Sequence, residues 1–272
     1  MHPTLLELGP FTLRSFGLMA ALGFLAAYYV LKRLAPRIAG MAADDAAQYL
    51  VFIMVGGALG ARFAYVAEHW TAEFAGRPFL EIFRFDKGGL MFYGGLAGAI
   101  AAIALYARMR RVGLVSLLDL AAVALPLGHA FGRVGCFLNG CCYGRVADTP
   151  ISVCYPAGSN PWFDQVDAGL VTRASAQSLP VIPSQLVEAA LNLALFAALL
   201  ALARRPLRTG RLAGVYLVSY AVIRFFTETL RSDPRMAVGP FSIAQFICLF
   251  VLAAGVAFLA LGRGKGEVKG ER

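Results

Sequence analysis

Charge is scarce in this chain. Asp, Glu, Lys and Arg make up 15% of the 272 residues, against about 25% in an ordinary soluble domain. With a composition that is 59% hydrophobic, that shortage excludes a water-soluble domain and makes the number of membrane spans the question. Acids are scarcer than bases, 16 against 25, so the net charge is +9. Met1–Leu13 contains no Lys or Arg, so no cleavable signal peptide is expected and the first span should stay as an anchor. Of the three histidines only His129 falls in an apolar segment. The cysteines have no second Cys/His pair at metal-ligand spacing, so neither a metal nor a cofactor is expected. No internal repeat is visible, which argues against an inverted-repeat transporter.

Long apolar runs are abundant. A span needs about 20 mostly apolar residues, and seven stretches qualify: Phe11–Leu31, Ala46–Ala67, Gly88–Ala107, Val115–Phe131, Gln185–Ala203, Ala213–Phe226 and Phe241–Leu261. The fourth and sixth are short or carry polar residues. Alternate ends are basic: Lys32, Arg33 and Arg37; Arg108, Arg110 and Arg111; Arg204, Arg205, Arg208 and Arg211; Arg263, Lys265, Lys269 and Arg272. Against these stand only Asp44, Asp45, Glu267 and Glu271. Basic loops stay cytoplasmic, which predicts an N-terminus outside and a C-terminus inside. The positive charge is then a matter of topology and anionic lipid rather than nucleic acid. The chain reads as an all-α integral membrane protein, residues 1–272 forming one polytopic domain with about seven transmembrane helices. A small extracytoplasmic head, partly strand, is predicted over residues 146–181, between spans four and five. Residues 263–272 are expected to be a disordered cytoplasmic tail.

The stretch that stands out is His129–Arg145, which closes the fourth apolar run with Arg133, Asn139, Cys136, Cys141, Cys142 and four glycines. Arginine is costly in hydrocarbon and marks a polar cavity or an anionic partner. Other polar residues collect at the same outer ends of different spans: Arg62, Tyr93, Gln185, Glu188, Arg224, Glu228 and Arg231. Gln185 and Glu188 share a face, as do Arg224, Glu228 and Arg231. Together they predict a cavity opening to the outer leaflet. Several arginines with few acids favour a phosphate-bearing ligand, and in a membrane that is a phospholipid. Several of these residues also have a plainer reading. Arg62 can snorkel to the interface, Tyr93 can belong to an aromatic belt, and Arg224, Glu228 and Arg231 can satisfy one another. Gly56-Gly-Ala-Leu-Gly60 and the pair Gly94 and Gly98 predict close helix contact. The loop His69–Lys87 reads as an interfacial segment that does not span.

The run Gly132-Arg133-Val-Gly135-Cys-Phe-Leu-Asn139-Gly140-Cys-Cys-Tyr-Gly144 resembles the signature of bacterial prolipoprotein diacylglyceryl transferases. Matches in family order include Gly57-Ala-Leu-Gly-Ala-Arg62, Gly88-Gly-Leu-Met-Phe-Tyr-Gly-Gly95, Pro183-Ser-Gln-Leu-Val-Glu188 and Tyr220-Ala-Val-Ile-Arg-Phe-Phe-Thr-Glu228 with Arg231. The resemblance implies an enzyme of the bacterial inner membrane. It would transfer the diacylglyceryl group of phosphatidylglycerol to the lipobox cysteine at the signal peptide of a preprolipoprotein. A thioether forms and glycerol phosphate leaves. By similarity Arg133 would bind the headgroup, and Arg224 would act on the leaving phosphate with Glu228 and Arg231 fixing it. Asn139 would orient the headgroup or a backbone break that Gly135, Gly140 and Gly144 permit.

The sequence departs from the enterobacterial form of that family at telling places. Tyr93 stands where a histidine proposed to matter for catalysis is found, and Ile182, Val187, Cys136 and Cys141 replace His, Tyr, Asn and Glu. A tyrosine titrates near pH ~10 and is a poor base unless arginines lower it. His129, four residues before Arg133, is the alternative imidazole, or a packing histidine. The cysteines are expected to pack or to form a disulfide with Cys154. The rival functions are a paralogue with another acceptor and a non-enzymatic lipid-binding protein.

Overall fold

The computed structural model describes residues 3–8, 11–85, 88–231 and 237–261. Among the described residues there are eight α-helices: α1 (Ser15–Ile38), α2 (Asp45–Glu68), α3 (Phe92–Arg110), α4 (Leu114–Asn139), α5 (Asn160–Asp167), α6 (Ser184–Ala203), α7 (Arg211–Glu228) and α8 (Ile243–Leu261). Two short antiparallel hairpins accompany them, β1 (Thr4–Leu8) with β2 (Phe11–Arg14) and β3 (Ala237–Val238) with β4 (Phe241–Ser242). Six helices are long and apolar enough to cross a membrane: α1, α2, α3, α4, α6 and α8. Their outward faces carry exposed Phe24, Leu25, Val51, Phe63, Leu105, Leu193 and Phe250. Water would not tolerate such continuous apolar surface, and lipid requires it. The chain is a multi-pass membrane protein.

All seven predicted runs contain a helix, but their ends differ. Phe11–Arg14 is strand paired to Thr4–Leu8, so the first helix begins at Ser15. The last begins at Ile243, after a strand at Phe241–Ser242. The fourth runs on to Asn139 instead of ending near Phe131. The sixth run is helical, yet α7 is not among the six: Arg211, Arg224 and Glu228 leave it too polar to qualify on composition. The predicted tail and the basic residues Arg263, Lys265, Lys269 and Arg272 lie outside the described residues, as do Asp86 and Lys87.

The chain divides into two compact units, Val30–Leu120 and Met1–Tyr29 with Ala121–Arg272. In the first, α2 and α3 pack along their glycines. A Cβ added to Gly60 would lie 2.8 Å from the Gly98 Cα, and one at Gly56 would lie 2.8 Å from the Gly98 carbonyl oxygen. Backbones can approach this closely only where side chains are missing. Beyond α2 the chain makes a π turn at Trp70–Phe74 and a 3-10 turn at Phe79–Phe83, with Phe79 and Leu80 outward. Tyr49 donates to the Leu117 carbonyl at 2.8 Å, and Arg110 pairs with Asp45 at 2.5 Å.

In the second unit α7 and α8 form a glycine-seated pair, Gly214 against Leu259 and Gly255 against Val218. Between α4 and α6 the residues 146–181 fold around α5. Their strand content reduces to isolated bridges, Val146 and Val153 each to Val181, and Pro156 to Gln177. Side chains do the remaining work of closure. Trp162 donates to the Ser175 carbonyl at 2.9 Å, and the Gln165 Oε1 accepts from the Leu179 amide at 2.6 Å. Tyr155 is fully buried, and that burial raises its phenol above the ordinary range, opposed by the Gln185 amide that donates to it.

Candidate active site

The centre of the second unit is a set of ionisable side chains that should not lie in an apolar bundle without partners. His129 and Arg133 are one turn apart on α4. Glu188 faces them from α6 with its side chain 3% exposed. Arg133 Nη2 meets Glu188 Oε1 at 2.9 Å, while Arg133 Nε donates to His129 Nε2 at 3.2 Å. That second bond fixes the tautomer. Nε2 is the acceptor, so the proton of the neutral ring sits on Nδ1. His129 Nε2 lies 3.4 Å from the same carboxylate oxygen, a proximity rather than a bond while Arg133 holds the lone pair. On α6 Asn192 donates back to the Glu188 carbonyl at 2.8 Å.

On α7, Arg224 Nη2 pairs with Glu228 Oε2 at 2.7 Å, one turn along. Ser242 Oγ donates to the other oxygen of Glu228 at 3.0 Å, and Ser242 Oγ also receives the Gln245 amide at 3.2 Å. The pair is thus buttressed from the start of α8. Arg224 Nη1 is buried and has no hydrogen-bond partner. The charges of Arg133 and Arg224 both act on Glu188. Tyr220 lies among them, its ring 5.8 Å from that of His129. Tyr220, Asn192 and Ser242 are not among the residues to which the sequence points. Asn192 is visible in it as i+4 from Glu188; Ser242 has no such signal, because its partner lies across a chain reversal.

The end of α4 is a turn, not a helix break within the signature. α4 continues through Gly135, whose missing Cβ makes room for Phe16 and Met19 of α1, 3.1 and 3.2 Å from where it would be. Gly135 therefore serves packing, correcting the expectation that it permits a break. Gly140 does permit one, with φ 73°, and Cys142 follows at φ 61°. Ser184 Oγ donates to the Cys142 carbonyl at 3.0 Å and Gln185 Nε2 to the Cys141 carbonyl at 2.8 Å. These bonds hold a left-handed non-glycine residue that is otherwise costly. Gly144 is wedged between the carbonyls of Ile182 and Leu230, where a Cβ would come within 2.6 and 2.7 Å. All five cysteines are free thiols, so of the two alternatives, packing or a disulfide to Cys154, the disulfide is not formed. Hydrogen bonds from Cys136 and then Cys141, with the Arg231 guanidinium adding, hold the Cys142 thiol below its ordinary range. Asn139 turns toward Cys141.

Two candidates belong to the other unit. Arg62 is 4% exposed. All three of its guanidinium nitrogens donate to backbone carbonyls: Nε to Ile82 at 2.6 Å, Nη1 to Gly88 at 2.9 Å and Gly89 at 3.2 Å, and Nη2 to Glu81 at 2.9 Å. It also lies over the Phe74 ring at 5.4 Å. It does not snorkel: the guanidinium is buried and spends its donors on the loop before α3. Tyr93 is half exposed near the start of α3, its ring edge-on to Phe92 at 5.6 Å.

Taken together, these features define a multi-pass membrane protein with buried arginine–carboxylate pairs and a buried guanidinium nitrogen that has no hydrogen-bond partner among the described residues. The chain belongs to the prolipoprotein diacylglyceryl transferase family, whose model matches residues 3–261. It is 34% identical over 273 residues to the phosphatidylglycerol–prolipoprotein diacylglyceryl transferase of Geobacter sulfurreducens, with 98% of each chain covered. It is 36% identical over 264 residues to the protein of the same name from Methylibium petroleiphilum, with 94% of each covered. A similar protein from Clostridium perfringens, bearing that name with the suffix 2, is 31% identical over 254 residues, covering 93% of this chain and 92% of the relative.

Proposed function

We propose that the protein transfers the diacylglyceryl group of phosphatidylglycerol to the lipobox cysteine of preprolipoproteins. In the reaction the thiol loses its proton and the sulfur attacks the glyceryl carbon that bears the phosphate. The C–O bond breaks as the C–S bond forms, and glycerol phosphate departs with the bonding electron pair. The observation that carries this reading is Arg224. Its Nη2 is held by Glu228 while its Nη1 is buried without a partner. A buried donor left unpaired is costly, and a phosphate oxygen would satisfy it with a charge-assisted bond. Arg133 supplies the second guanidinium for the headgroup, and Glu188 keeps it in place until lipid binds.

The tautomer of His129 suggests how the proton is handled. A free cysteine titrates near pH ~8.5, so the acceptor thiol needs help. His129 Nε2 is occupied by Arg133. A lipid phosphate that draws Arg133 toward itself would release that lone pair, so headgroup binding would arm the base. Glu228 and Arg231 position the leaving-phosphate side, and Asn139, Gly140, Gln185 and Glu188 shape the turn above it. Tyr93 contributes at most a hydrogen bond.

The reading includes a topology. α7 is the seventh span, admitted despite Arg224 and Glu228 because the two are already paired. The basic loop ends support a cytoplasmic C-terminus, an outer N-terminus and an insertion around α5 on the outer face of the bacterial inner membrane. There the substrates are phosphatidylglycerol, surrounding membrane lipid and the signal peptide. The direct test gives the purified protein phosphatidylglycerol vesicles and a lipobox peptide. A peptide mass increased by one diacylglyceryl group on the cysteine is expected. No adduct on the thiol, with label transferred instead to an amine or lipid acceptor, would overturn the reading.

A further inference from the structure

We propose that Cys136, Cys141 and Cys142 form a binding site for a thiophilic d10 metal ion. Their three sulfurs lie within 4.8 Å of one another, and among the described residues this is the one cluster of metal-ligating side chains so assembled. All three are free and partly buried. Spacing disfavours zinc only where the donors must come as two separate Cys/His pairs. This chain collects them differently, from the last turn of one helix and the residues that reverse it.

The backbone prearranges the donors. Cys136 projects from the final turns of α4. The Cys141 amide returns to the Cys136 carbonyl at 3.1 Å, which closes the loop between them. The left-handed backbone at Cys142, pinned by Ser184, turns the third sulfur back toward the first. Around a tetrahedral zinc with bonds of about 2.3 Å, sulfurs sit roughly 3.8 Å apart. Small side-chain rotations reach that spacing from the present arrangement. Each ligating thiol gives up its proton on binding. Three thiolates around a divalent ion leave one net negative charge, and the Arg231 guanidinium that reaches Cys142 lies where it offsets that charge. The fourth position is left to water or an exogenous ligand, and both Zn(II) and Cu(I) match a soft, all-sulfur donor set. Such an ion would lock the turn from α4 toward the Gly144 seat. This role is separate from the transfer chemistry.

The test uses the full chain, reduced and purified in detergent without chelator. Zn(II) and, anaerobically, Cu(I) are titrated against a competing chelator in separate arms, with Co(II) as a spectroscopic probe. One ion per chain in either arm is expected, with a thiolate-to-cobalt charge-transfer band and a rise in melting temperature on metal addition. Cys136→Ser, Cys141→Ser and Cys142→Ser should each weaken binding by about 100-fold or more, the upper end of what even a supporting residue costs. Cys154→Ser and Cys248→Ser should leave it unchanged. The proposal fails if wild-type protein binds neither ion, or if Cys141→Ser, still folded by its melting curve, binds as tightly. It also fails if alkylation in intact membranes traps a disulfide between Cys136 and either Cys141 or Cys142.

Discussion

Two buried arginines in this protein look alike in sequence and are satisfied in opposite ways. Arg62 and Arg224 both sit near the end of a helix behind a run of apolar residues. Arg62 gives every guanidinium nitrogen to a carbonyl of Glu81, Ile82, Gly88 or Gly89. Arg224 has one nitrogen tied to Glu228 and another left buried with nothing to meet. A guanidinium whose donors are all taken is a structural cross-link. One held on a single side and desolvated on the other is prepared for a ligand. Residue type and depth do not separate the two cases; the count of satisfied donors does.

The largest effect is expected at Arg224. Arg224→Ala should lower transfer by about two to four decades, corresponding to roughly 3–5 kcal/mol for removing a buried, charge-assisted hydrogen bond to phosphate. Arg224→Lys should recover little, since an ammonium cannot bridge Glu228 and a phosphate with one planar fork. Thioether formation by mass, measured against an unchanged melting temperature, checks both. If Arg224→Ala keeps full activity, the distinction between the two arginines collapses. Arg133→Ala should cost a comparable amount, with the added mark that Glu188 loses its partner. Pairing it with Glu188→Gln should restore folding but not turnover.

Arg62→Ala should act on the fold. It leaves carbonyls of four residues short of a donor, and a loss of at least about 3 kcal/mol in stability follows from the usual cost of unsatisfied buried acceptors. Thermal unfolding in detergent is the measurement. An unchanged melting temperature with weakened phosphatidylglycerol binding would move Arg62 into the site. Gly98→Ala should cost about 1–3 kcal/mol by overpacking the α2–α3 contact, again read from unfolding. The smallest change is expected at Tyr93, which is half exposed. Tyr93→Phe should slow transfer by about tenfold at most, the worth of one ordinary hydrogen bond. A loss as large as that of Arg224→Ala would make the phenol part of the chemistry.

Much of the molecule is readable in its sequence, and what is not has physical causes. The apolar runs locate every long helix because length and hydropathy are local properties. The strand at Phe11–Arg14 is hidden because four residues of an apolar run carry no period of their own. The partners of Arg62 are unreadable because they are main-chain carbonyls in a loop, invisible to side-chain patterns. Gly135 misleads because a glycine that lets the chain bend and one that admits a neighbouring helix look identical in sequence. The gathering of Cys136, Cys141 and Cys142 depends on a left-handed backbone at a cysteine, which no propensity anticipates. His129, Arg133, Glu188, Arg224 and Glu228 are legible because charge inside a span rarely lacks a reason.

The ion pairs also differ in when they can form. Arg224 and Glu228 are neighbours on one helix, so they are synthesised together and can neutralise each other at once. Arg133 is made on α4, and its carboxylate arrives only with α6, after the whole insertion around α5 has been synthesised. Until then Arg133 lacks the carboxylate that meets it in the folded chain, and an unpaired arginine is costly in hydrocarbon. Biogenesis of this protein therefore has a vulnerable moment between its fourth helix and its sixth, set by the order in which the ribosome delivers opposite charges.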